Sequence, residues 1–488
     1  MTAALPLALP SPDRTRALRL ALAAAVCVLT GAAMAVRPDT APLVVAAAAL
    51  AFLSLDWRRG VWALLAFMPF TGVPVFVAGT PGLLVRDAAI VLPLYIAFVY
   101  AAAREARVID LPSLGVALPA LGLFAVLVVA GFARAPSLAA GLIGARVWLA
   151  YVPLLIVGYH FARRRADLDR ALRLTALLGL LPAAIAIGEW IESARTGGFG
   201  VFARMYGASG VTPIEFIFGS GSHYVMIPRV PSTFTSSSSY YGFSIVAFAA
   251  ALSLLLHHGG RGWAIAAAVL AAGAAASGNR AAYVAVPMIT AAALVLAGPR
   301  ISHIVAALVA AAALVAAMSL LGANLLLVAS LLPGHVHVTL VHAWGELRGS
   351  LSPFGHGTGW DTNAALRYGD TSQSRYIENW FAKASLEFGV LGLAAVVAVM
   401  ASLSLRLLTA LRRLPVADRR LAAPLVALLL LTVVTLFKGP MIDFDPLNVY
   451  FWLLAGMLLA LAKQASEATP AADAADQAQG SEHDRRAA

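Results

Sequence analysis

The sequence has almost no cysteine and little charge. Its only cysteine, Cys27, lies within an apolar run, which excludes a disulfide framework and a metal site built from thiolates. Charged residues make up 12% of the 488 positions and hydrophobic residues 61%, and the mean hydropathy is +0.83. Soluble domains carry about a quarter of charged residues. The composition therefore indicates a polytopic membrane protein whose surroundings are the lipid bilayer.

Several patterns that mark common binding sites are also absent. The sequence has no Walker A or Rossmann glycine pattern, no metalloprotease histidine pair and no long-period repeat. The formal net charge is +11, but the basic residues form short clusters between apolar runs, which is typical of topology signals. We therefore expect no nucleic-acid partner and no cofactor.

What the chain does contain is a series of apolar runs long enough, or nearly long enough, to cross a bilayer. A spanning helix needs roughly 20 such residues. On this criterion we predict an all-α, polytopic integral membrane protein with about 14 transmembrane helices. The runs begin near Ala17, Pro42, Gly60, Leu84, Leu114, Arg146, Ala171, Tyr240, Trp263, Ala281, Ile304, Ala384, Ala422 and Val449.

The basic clusters also predict the orientation, because short loops rich in Arg and Lys stay in the cytoplasm. With the N-terminus inside, every alternate loop carries such a cluster, and both termini of the membrane domain, residues 1–463, are cytoplasmic. The tail, residues 464–488, is poor in large apolar residues and is predicted to be disordered. Two loops are long, at about 189–239 and 333–375, and both fall outside. We expect these loops to form the working face.

Arginines on the outer side break this pattern and indicate an anionic partner. Arg229 lies between Pro228 and Pro231 just before a span, and Arg280 lies at the tip of a hairpin between two short spans. A guanidinium at membrane depth costs about 2.5–3.5 kcal/mol, so each requires a carboxylate or a phosphate. Both kinds of partner remain open. The same side also carries Arg37, Arg86, Arg134, Arg146, Arg195, Arg204, Arg348, Arg367 and Arg375.

Most of the polar candidates fall in residues 371–393, where an outer loop enters a span. One face of the predicted helix carries side chains that recur at four, three and four residues. They are Tyr376, Trp380, Lys383 and Glu387. Glu378 and Asn379 lie on a neighbouring face of the same turn, and a carboxylate at a membrane boundary indicates a functional site. For the tryptophan and the lysine, ordinary interfacial belt and snorkelling positions are equally good interpretations.

Two further patterns are weaker. Residues 355–359 form a glycine-rich turn that we interpret as a loop whose backbone approaches a ligand, with His356 as an acid or base. Asp443 and Asp445 have the spacing of a metal-bound diphosphate site, but this spacing is common by chance, and an ion pair of Lys438 with one of them is the alternative. We therefore predict no metal.

Three separated elements together resemble the O-antigen ligase and O-antigen or exopolysaccharide polymerase superfamily of bacterial envelope enzymes. They are RVPSTFTSSSSYYG, SGNRAA, and SPFGHGTG followed by ENWFAKASLEFGVLGL. The resemblance covers roughly residues 229–393. It implies a metal-independent glycosyltransferase in the bacterial inner membrane, which acts at the outer face on oligosaccharides carried by undecaprenyl pyrophosphate.

The resemblance also implies roles for single residues. Arg229 and Arg280 correspond to the arginines that hold the pyrophosphate, and we assign Arg348 to the same group. In ligase members a histidine beside an asparagine begins the last motif, and here Glu378 and Asn379 stand at those positions. This departure favours a polymerase, whose acceptor is another sugar chain, over a ligase that transfers to lipid A-core.

The expected chemistry needs a base for the acceptor hydroxyl, and Glu378 is our first candidate and His356 the second. A structural pair of Glu378 with Arg375 is the alternative. The remaining candidates are assigned to substrate binding. They are Arg375, Tyr376, Asn379, Trp380, Lys383 and Glu387. A chain-length regulator is a further expected partner. A flippase for lipid-linked glycans and a transferase that uses a polyprenyl monophosphate sugar remain the rival functions.

Overall fold

The computed structural model describes residues 41–78, 82, 85–105, 109–196, 215–220, 223–298, 325–360, 377–439, 441–443 and 445–487. Several predicted features lie outside these residues: the runs from Ala17 and Ile304, and the side chains of Arg37, Arg204, Arg367, Arg375 and Tyr376.

Helices dominate the described chain. The first half contains α1 (Ala41–Ser54), α2 (Trp57–Phe67), α3 (Val73–Ala78), α4 (Leu92–Arg104), α5 (Ala117–Gly131), α6 (Leu138–Leu149), α7 (Leu154–Phe161) and α8 (Arg165–Thr196). An antiparallel hairpin follows, β1 (Glu215–Ser220) and β2 (His223–Pro228), with Glu215 opposite Pro228. The second half contains α9 (Ser237–His258), α10 (Arg261–Ala276), α11 (Arg280–Ala297), α12 (Leu325–Ser350), α13 (Trp380–Arg413), α14 (Val416–Thr435) and α15 (Leu447–Ala487).

Eight helical segments within the described residues are long and apolar enough to cross a membrane. They are Asp87–Arg104, Ala117–Arg134, Leu138–Phe161, Arg165–Ser193, Ser237–His258, Arg280–Ala297, Trp380–Arg413 and Leu447–Glu467. The predicted helical membrane protein is confirmed, but the count of 14 spans is not. Helices α1, α2 and α10 are shorter than a full span, and α14 begins with the charged residues Asp418, Arg419 and Arg420.

The core forms around α9, whose apolar membrane-crossing stretch is 94% buried. Its large side chains, such as Tyr240 and Phe243, are fully enclosed by α8, α10 and α14. Elsewhere two glycines allow α7 and α15 to touch backbone to backbone. A Cβ on Gly158 would lie 2.2 Å from the carbonyl oxygen of Leu453, and one on Gly456 would lie 1.9 Å from that of Leu155. These small residues permit the close helix packing that membrane proteins depend on.

Ion pairs join the loops that are predicted to be cytoplasmic at one end of the bundle. They join loops far apart in sequence: Arg58–Asp167 (3.0 Å), Arg163–Asp110 (3.1 Å), Lys463–Asp110 (2.6 Å) and Arg165–Asp418 (2.8 Å). The arginines predicted to lie outside take no part in these pairs. The basic loops that the prediction places together in the cytoplasm thus lie together in the structure.

The structure differs from the sequence predictions at the loops and the tail. Helix α8 continues to Thr196, and α12 continues to Ser350, so parts of both predicted outer loops are helical. Helix α15 includes the tail that we predicted to be disordered. Polarity suggested a loop in each case, but alanine-rich polar segments also have a high intrinsic helix propensity.

Candidate functional site

Three helix ends meet at the end of the bundle that the sequence predicts to face outward, where α11 and α13 begin and α14 ends. Asn279 caps α11 through its side-chain oxygen, which accepts the N–H of Ala281 at 3.1 Å. Asn379 caps α13 and accepts the N–H groups of Phe381 and Ala382 at 3.0 and 3.1 Å. The N–H of Trp380 donates to the carbonyl of Leu436 at 3.0 Å and joins the start of α13 to the end of α14. Asparagine is a strong cap, so both starts are well defined.

The structure brings Arg229 and Arg280 together, as their predicted shared role requires. Gly278, in the turn before α11, has φ +66, and a Cβ there would lie 2.1 Å from the carbonyl oxygen of Pro228. The hairpin tip therefore packs directly on the segment that carries Arg229. The two guanidinium charges act on one another, and both side chains are half-buried. Burial lowers the pKa of Arg229, because desolvation disfavours the charged form.

Lys438 adds a third cation at this place. It follows the end of α14, and its ammonium group pairs with the carboxylate of Glu378. Burial lowers the pKa of Lys438, the negative charge of Glu346 opposes that shift, and the positive charge of Arg280 adds to it. We call Arg229, Arg280 and Lys438 the outer cation cluster. Glu378 thus has a basic partner in Lys438. The predicted alternative partner, Arg375, lies outside the described residues.

Glu346 on α12 holds the backbone beside this cluster. Its two carboxylate oxygens accept the N–H groups of Glu378 at 3.3 Å and Asn379 at 3.0 Å. The side-chain amide of Asn379 donates to the carbonyl of Ala343 at 2.9 Å, and Asn379 is fully buried. The structure thus gives Asn379 structural contacts, and its role in substrate binding stays a prediction. It caps α13 and ties that helix to α12.

The other predicted residues of α13 point into the protein. Trp380 donates from its indole N–H to Asp443 at 2.8 Å, and Lys383 pairs with the same carboxylate at 2.5 Å. The Lys383 ammonium lies 4.9 Å from the ring centroid of Trp148, whose indole N–H donates to Glu387 at 2.9 Å. All three α13 residues thus contact Trp148 and share one face, as their spacing predicts. They are buried, however, and their role in substrate binding stays a prediction.

A second group of charges, the balanced cluster, lies beside this buried face. It contains Arg86, Arg146, Asp87, Asp445 and Tyr151. Arg86 is 2% exposed and pairs with Asp87 at 2.7 Å and with Asp445 at 2.5 Å. Arg146 also pairs with Asp87, and the Tyr151 hydroxyl donates to that carboxylate at 2.9 Å. These two outer-side arginines have carboxylate partners, which is the structural alternative that the sequence left open.

Asp443 and Asp445 therefore pair with different residues. Asp443 is engaged by Lys383 and Trp380, whereas Asp445 belongs to the balanced cluster. The expected pairing of Lys438 with one of them is wrong, because Lys438 pairs with Glu378. Within the described ranges, no group of three or more His, Cys, Asp or Glu side chains could hold a metal ion.

The glycine-rich turn approaches helices rather than open space. A Cβ on Gly355 would lie 2.4 Å from the carbonyl oxygen of Glu387, and one on Gly359 would lie 2.2 Å from that of Ala140. The turn fills the kink of α13 at Gly389, which has φ +72. His356 is exposed, and its Nδ1 bonds the carbonyl of Leu386 at 3.1 Å. A carbonyl only accepts, so Nδ1 carries the proton and Nε2 remains available as a base.

Arg348 is exposed in the last turn of α12, and the described part of the chain shows no contact between it and the outer cation cluster. Two residues that do belong to the site were missed. Lys438 had a detectable signal, since it is a cation just outside a span on the outer side. Glu346 had only a weak signal in the sequence, which is its position one helical turn after His342. In the structure, the Nε2 of His342 lies 3.3 Å from the Glu346 carboxylate.

Comparison with known proteins gives no matching family model and no matching curated protein. The interpretation of the site therefore depends on its own geometry and on the sequence motifs.

Proposed function

We propose that this protein is a bacterial envelope polysaccharide polymerase. It transfers a glycan from undecaprenyl pyrophosphate to an acceptor sugar chain at the outer face of the cytoplasmic membrane. The observation that carries the proposal is the convergence of Arg229, Arg280 and Lys438 with the carboxylate of Glu378 where three helix ends meet. Cations beside a carboxylate are what this transfer requires.

The arginines supply the leaving-group half of the reaction. When the bond between the anomeric carbon and the pyrophosphate oxygen breaks, its electron pair stays on the pyrophosphate. Guanidinium groups already held in place stabilise that developing charge without reorganisation. Gly278 holds the hairpin tip against Pro228 and so keeps the two arginines adjacent.

Glu378 supplies the acceptor half. The acceptor hydroxyl oxygen forms the new bond to the anomeric carbon, and its proton passes to the carboxylate. Positive neighbours favour the ionised carboxylate, which is the form that accepts a proton. Glu346 holds the backbone of Glu378, so the side chain alone needs to move. His356, with Nε2 available, is the competing base.

The test is Glu378→Gln in a deletion strain complemented with the variant gene. We expect polymer on gels to be lost while the lipid-linked donor accumulates, because the amide keeps the shape and removes the basicity. Glu467→Gln, an exposed glutamate 65% accessible at the other end, is the matched control and should make full-length polymer. His356→Ala is compared in parallel.

The outcomes separate the rival functions. Full-length polymer from Glu378→Gln with loss in His356→Ala would move the base to the glycine-rich turn. Loss of glycan from lipid A-core, with polymer length unchanged on the lipid carrier, would identify a ligase. Accumulation of donor on the cytoplasmic side of the membrane would identify a flippase, which needs cations for pyrophosphate but no base.

A further inference from the structure

Lys438 and Glu378 form an ion pair in the structure. The proposed reaction instead needs Lys438 beside the pyrophosphate and Glu378 beside the acceptor hydroxyl. Their side chains are in contact and are 37% and 41% exposed, so both are accessible. The backbone of Lys438 is fixed by the turn that ends α14, where its N–H donates to the carbonyl of Thr435 at 2.9 Å. A lysine side chain on such an anchor can still swing, because its four-carbon stem is flexible.

An anion bound at the outer cation cluster would offer the Lys438 ammonium group a second position. Arg280 is near enough for its charge to act on Lys438, and Arg229 acts on Arg280 in the same way. Like charges in partly buried positions repel, and a bound anion removes that repulsion. A pyrophosphate held by the two arginines would present several negatively charged oxygens beside Lys438, in competition with the carboxylate of Glu378 in contact and that of Glu346 nearby.

Glu378 is arranged so that it can lose this partner without losing its place. Its backbone N–H is held by Glu346, and within the described residues Lys438 is the only ion-pair partner of its carboxylate. The next residue, Asn379, is fully buried and caps α13. Release of Lys438 would therefore leave the carboxylate exposed at an unchanged backbone position.

We propose that Lys438 is a third ligand of the bound pyrophosphate and that the Glu378–Lys438 ion pair is a latch. When the pyrophosphate binds, the Lys438 ammonium group leaves the Glu378 carboxylate and pairs with a phosphate oxygen. Glu378 can then accept the proton of the acceptor hydroxyl. This inference rests on the proposed function, and it adds an order of events. The donor binds first, and the base becomes available only afterwards.

The latch makes a thermodynamic prediction that does not require turnover, because Glu378 competes with the anion for Lys438. The experiment measures the binding of farnesyl pyrophosphate to the purified full-length protein in lipid nanodiscs. Glu378→Gln should bind this probe about three- to tenfold more tightly than the wild type, a gain of roughly 0.7–1.4 kcal/mol. Lys438→Met should bind it several-fold more weakly, and Lys438→Gln serves if the methionine variant does not fold.

The double variant separates a latch from a general change of charge. If Glu378→Gln acts only by removing a negative charge, it should tighten binding equally with and without Lys438. If the latch is correct, Glu378→Gln/Lys438→Met should bind no more tightly than Lys438→Met alone, since nothing remains to be released. Lys463→Met and Glu467→Gln, a cation and an acid at the other end of the bundle, should both match the wild type.

The possible results also distinguish the latch from the polymerase proposal. Wild-type affinity in Glu378→Gln, with weakened binding in Arg280→Lys, would overturn the latch and leave the pyrophosphate site intact. The expected binding pattern without polymer formation in cells would support the latch and overturn the polymerase. No binding of farnesyl pyrophosphate to the wild type would overturn both.

Discussion

The balanced cluster and the outer cation cluster both contain two arginines, but the charged side chains around those arginines differ. In the balanced cluster, Arg86 and Arg146 pair with Asp87 and Asp445, and charge is compensated within the protein. In the outer cation cluster, two arginines and a lysine lie beside one another.

When one partner of an ion pair in a poorly solvated site is removed, the other charge is left uncompensated and the fold is destabilised. In the outer cation cluster the positive charge of Arg280 acts on Lys438, and an anionic ligand would offset that repulsion. An arginine on the outer side of the membrane is thus not evidence of a ligand until its neighbours are known. The comparison predicts that substitutions in the two clusters will differ in kind, with stability lost in one and function lost in the other.

The largest effect is expected from Asp87→Asn in the balanced cluster. The carboxylate accepts from Arg86, Arg146 and Tyr151, and its loss leaves two guanidinium groups with one remaining carboxylate. Breaking such a buried pair costs about 3–5 kcal/mol. Thermal unfolding of the purified protein should show a large loss of stability.

Asp110→Asn is the matched control for this substitution. Asp110 also pairs with two cations, but it is 40% exposed, and exposed pairs contribute about 0.2–1 kcal/mol. Equal stability losses in Asp87→Asn and Asp110→Asn would show that the ion pairs of the balanced cluster contribute no more to stability than an exposed pair does.

The next largest effect is expected from Arg280→Lys in the outer cation cluster. Lysine keeps the charge but cannot make the two parallel hydrogen bonds that a guanidinium makes to phosphate. A hydrogen bond to a charged group contributes about 1.5–3 kcal/mol, so polymer formation should fall roughly 10- to 100-fold. The thermal stability should stay at the wild-type level, since a positive charge is retained.

Arg134→Lys is the control for the loss of a guanidinium at the outer end. Arg134 donates to the carbonyls of Phe354 and Gly355 at 3.1 and 3.0 Å, and a role in phosphate binding is not assigned to it. Wild-type polymer formation in Arg280→Lys, or an equal loss in Arg134→Lys, would contradict the role proposed for Arg280.

The smallest effect, and the one that tests the geometry, is expected from Gly278→Ala. A Cβ there would meet the carbonyl of Pro228 and move Arg229 away from Arg280. The strained φ and the overlap should each cost about 1 kcal/mol, and polymer formation should decrease.

Gly298→Ala isolates the strain, because Gly298 has φ +77 with open space around its Cα. It should lose about 1 kcal/mol of stability and keep its activity. If the two variants lose activity equally, the close approach of the hairpin tip to Pro228 does not matter for function.

The positions of individual helices were largely predictable, because membrane spans are a local property of the chain. Each described apolar run has a corresponding helix, and the hairpin tip predicted at Arg280 lies where α10 has ended and α11 begins. Asn379 and Asn279 begin their helices as caps, a preference that belongs to the residue itself. The shared face of Trp380, Lys383 and Glu387 follows from helical spacing alone.

The partners of the charged side chains were not predictable in the same way. Lys438 was expected to pair with an aspartate a few residues away, but it pairs with Glu378, 60 positions earlier. Glu346 holds backbone groups more than 30 positions later. Helical spacing says nothing about which helix ends meet, since that depends on the packing of α11, α12, α13 and α14 together.

The sequence by itself thus determined the membrane class, the alternation of basic loops and the arginines that needed an anionic partner. These depend on the transfer of side chains between water and lipid, which each residue undergoes on its own. Only the tertiary structure decided that Arg86 and Arg146 have carboxylate partners while Arg229, Arg280 and Lys438 gather beside Glu378. Coulomb energies depend on distance and burial, and both are set by contacts between residues far apart in the chain.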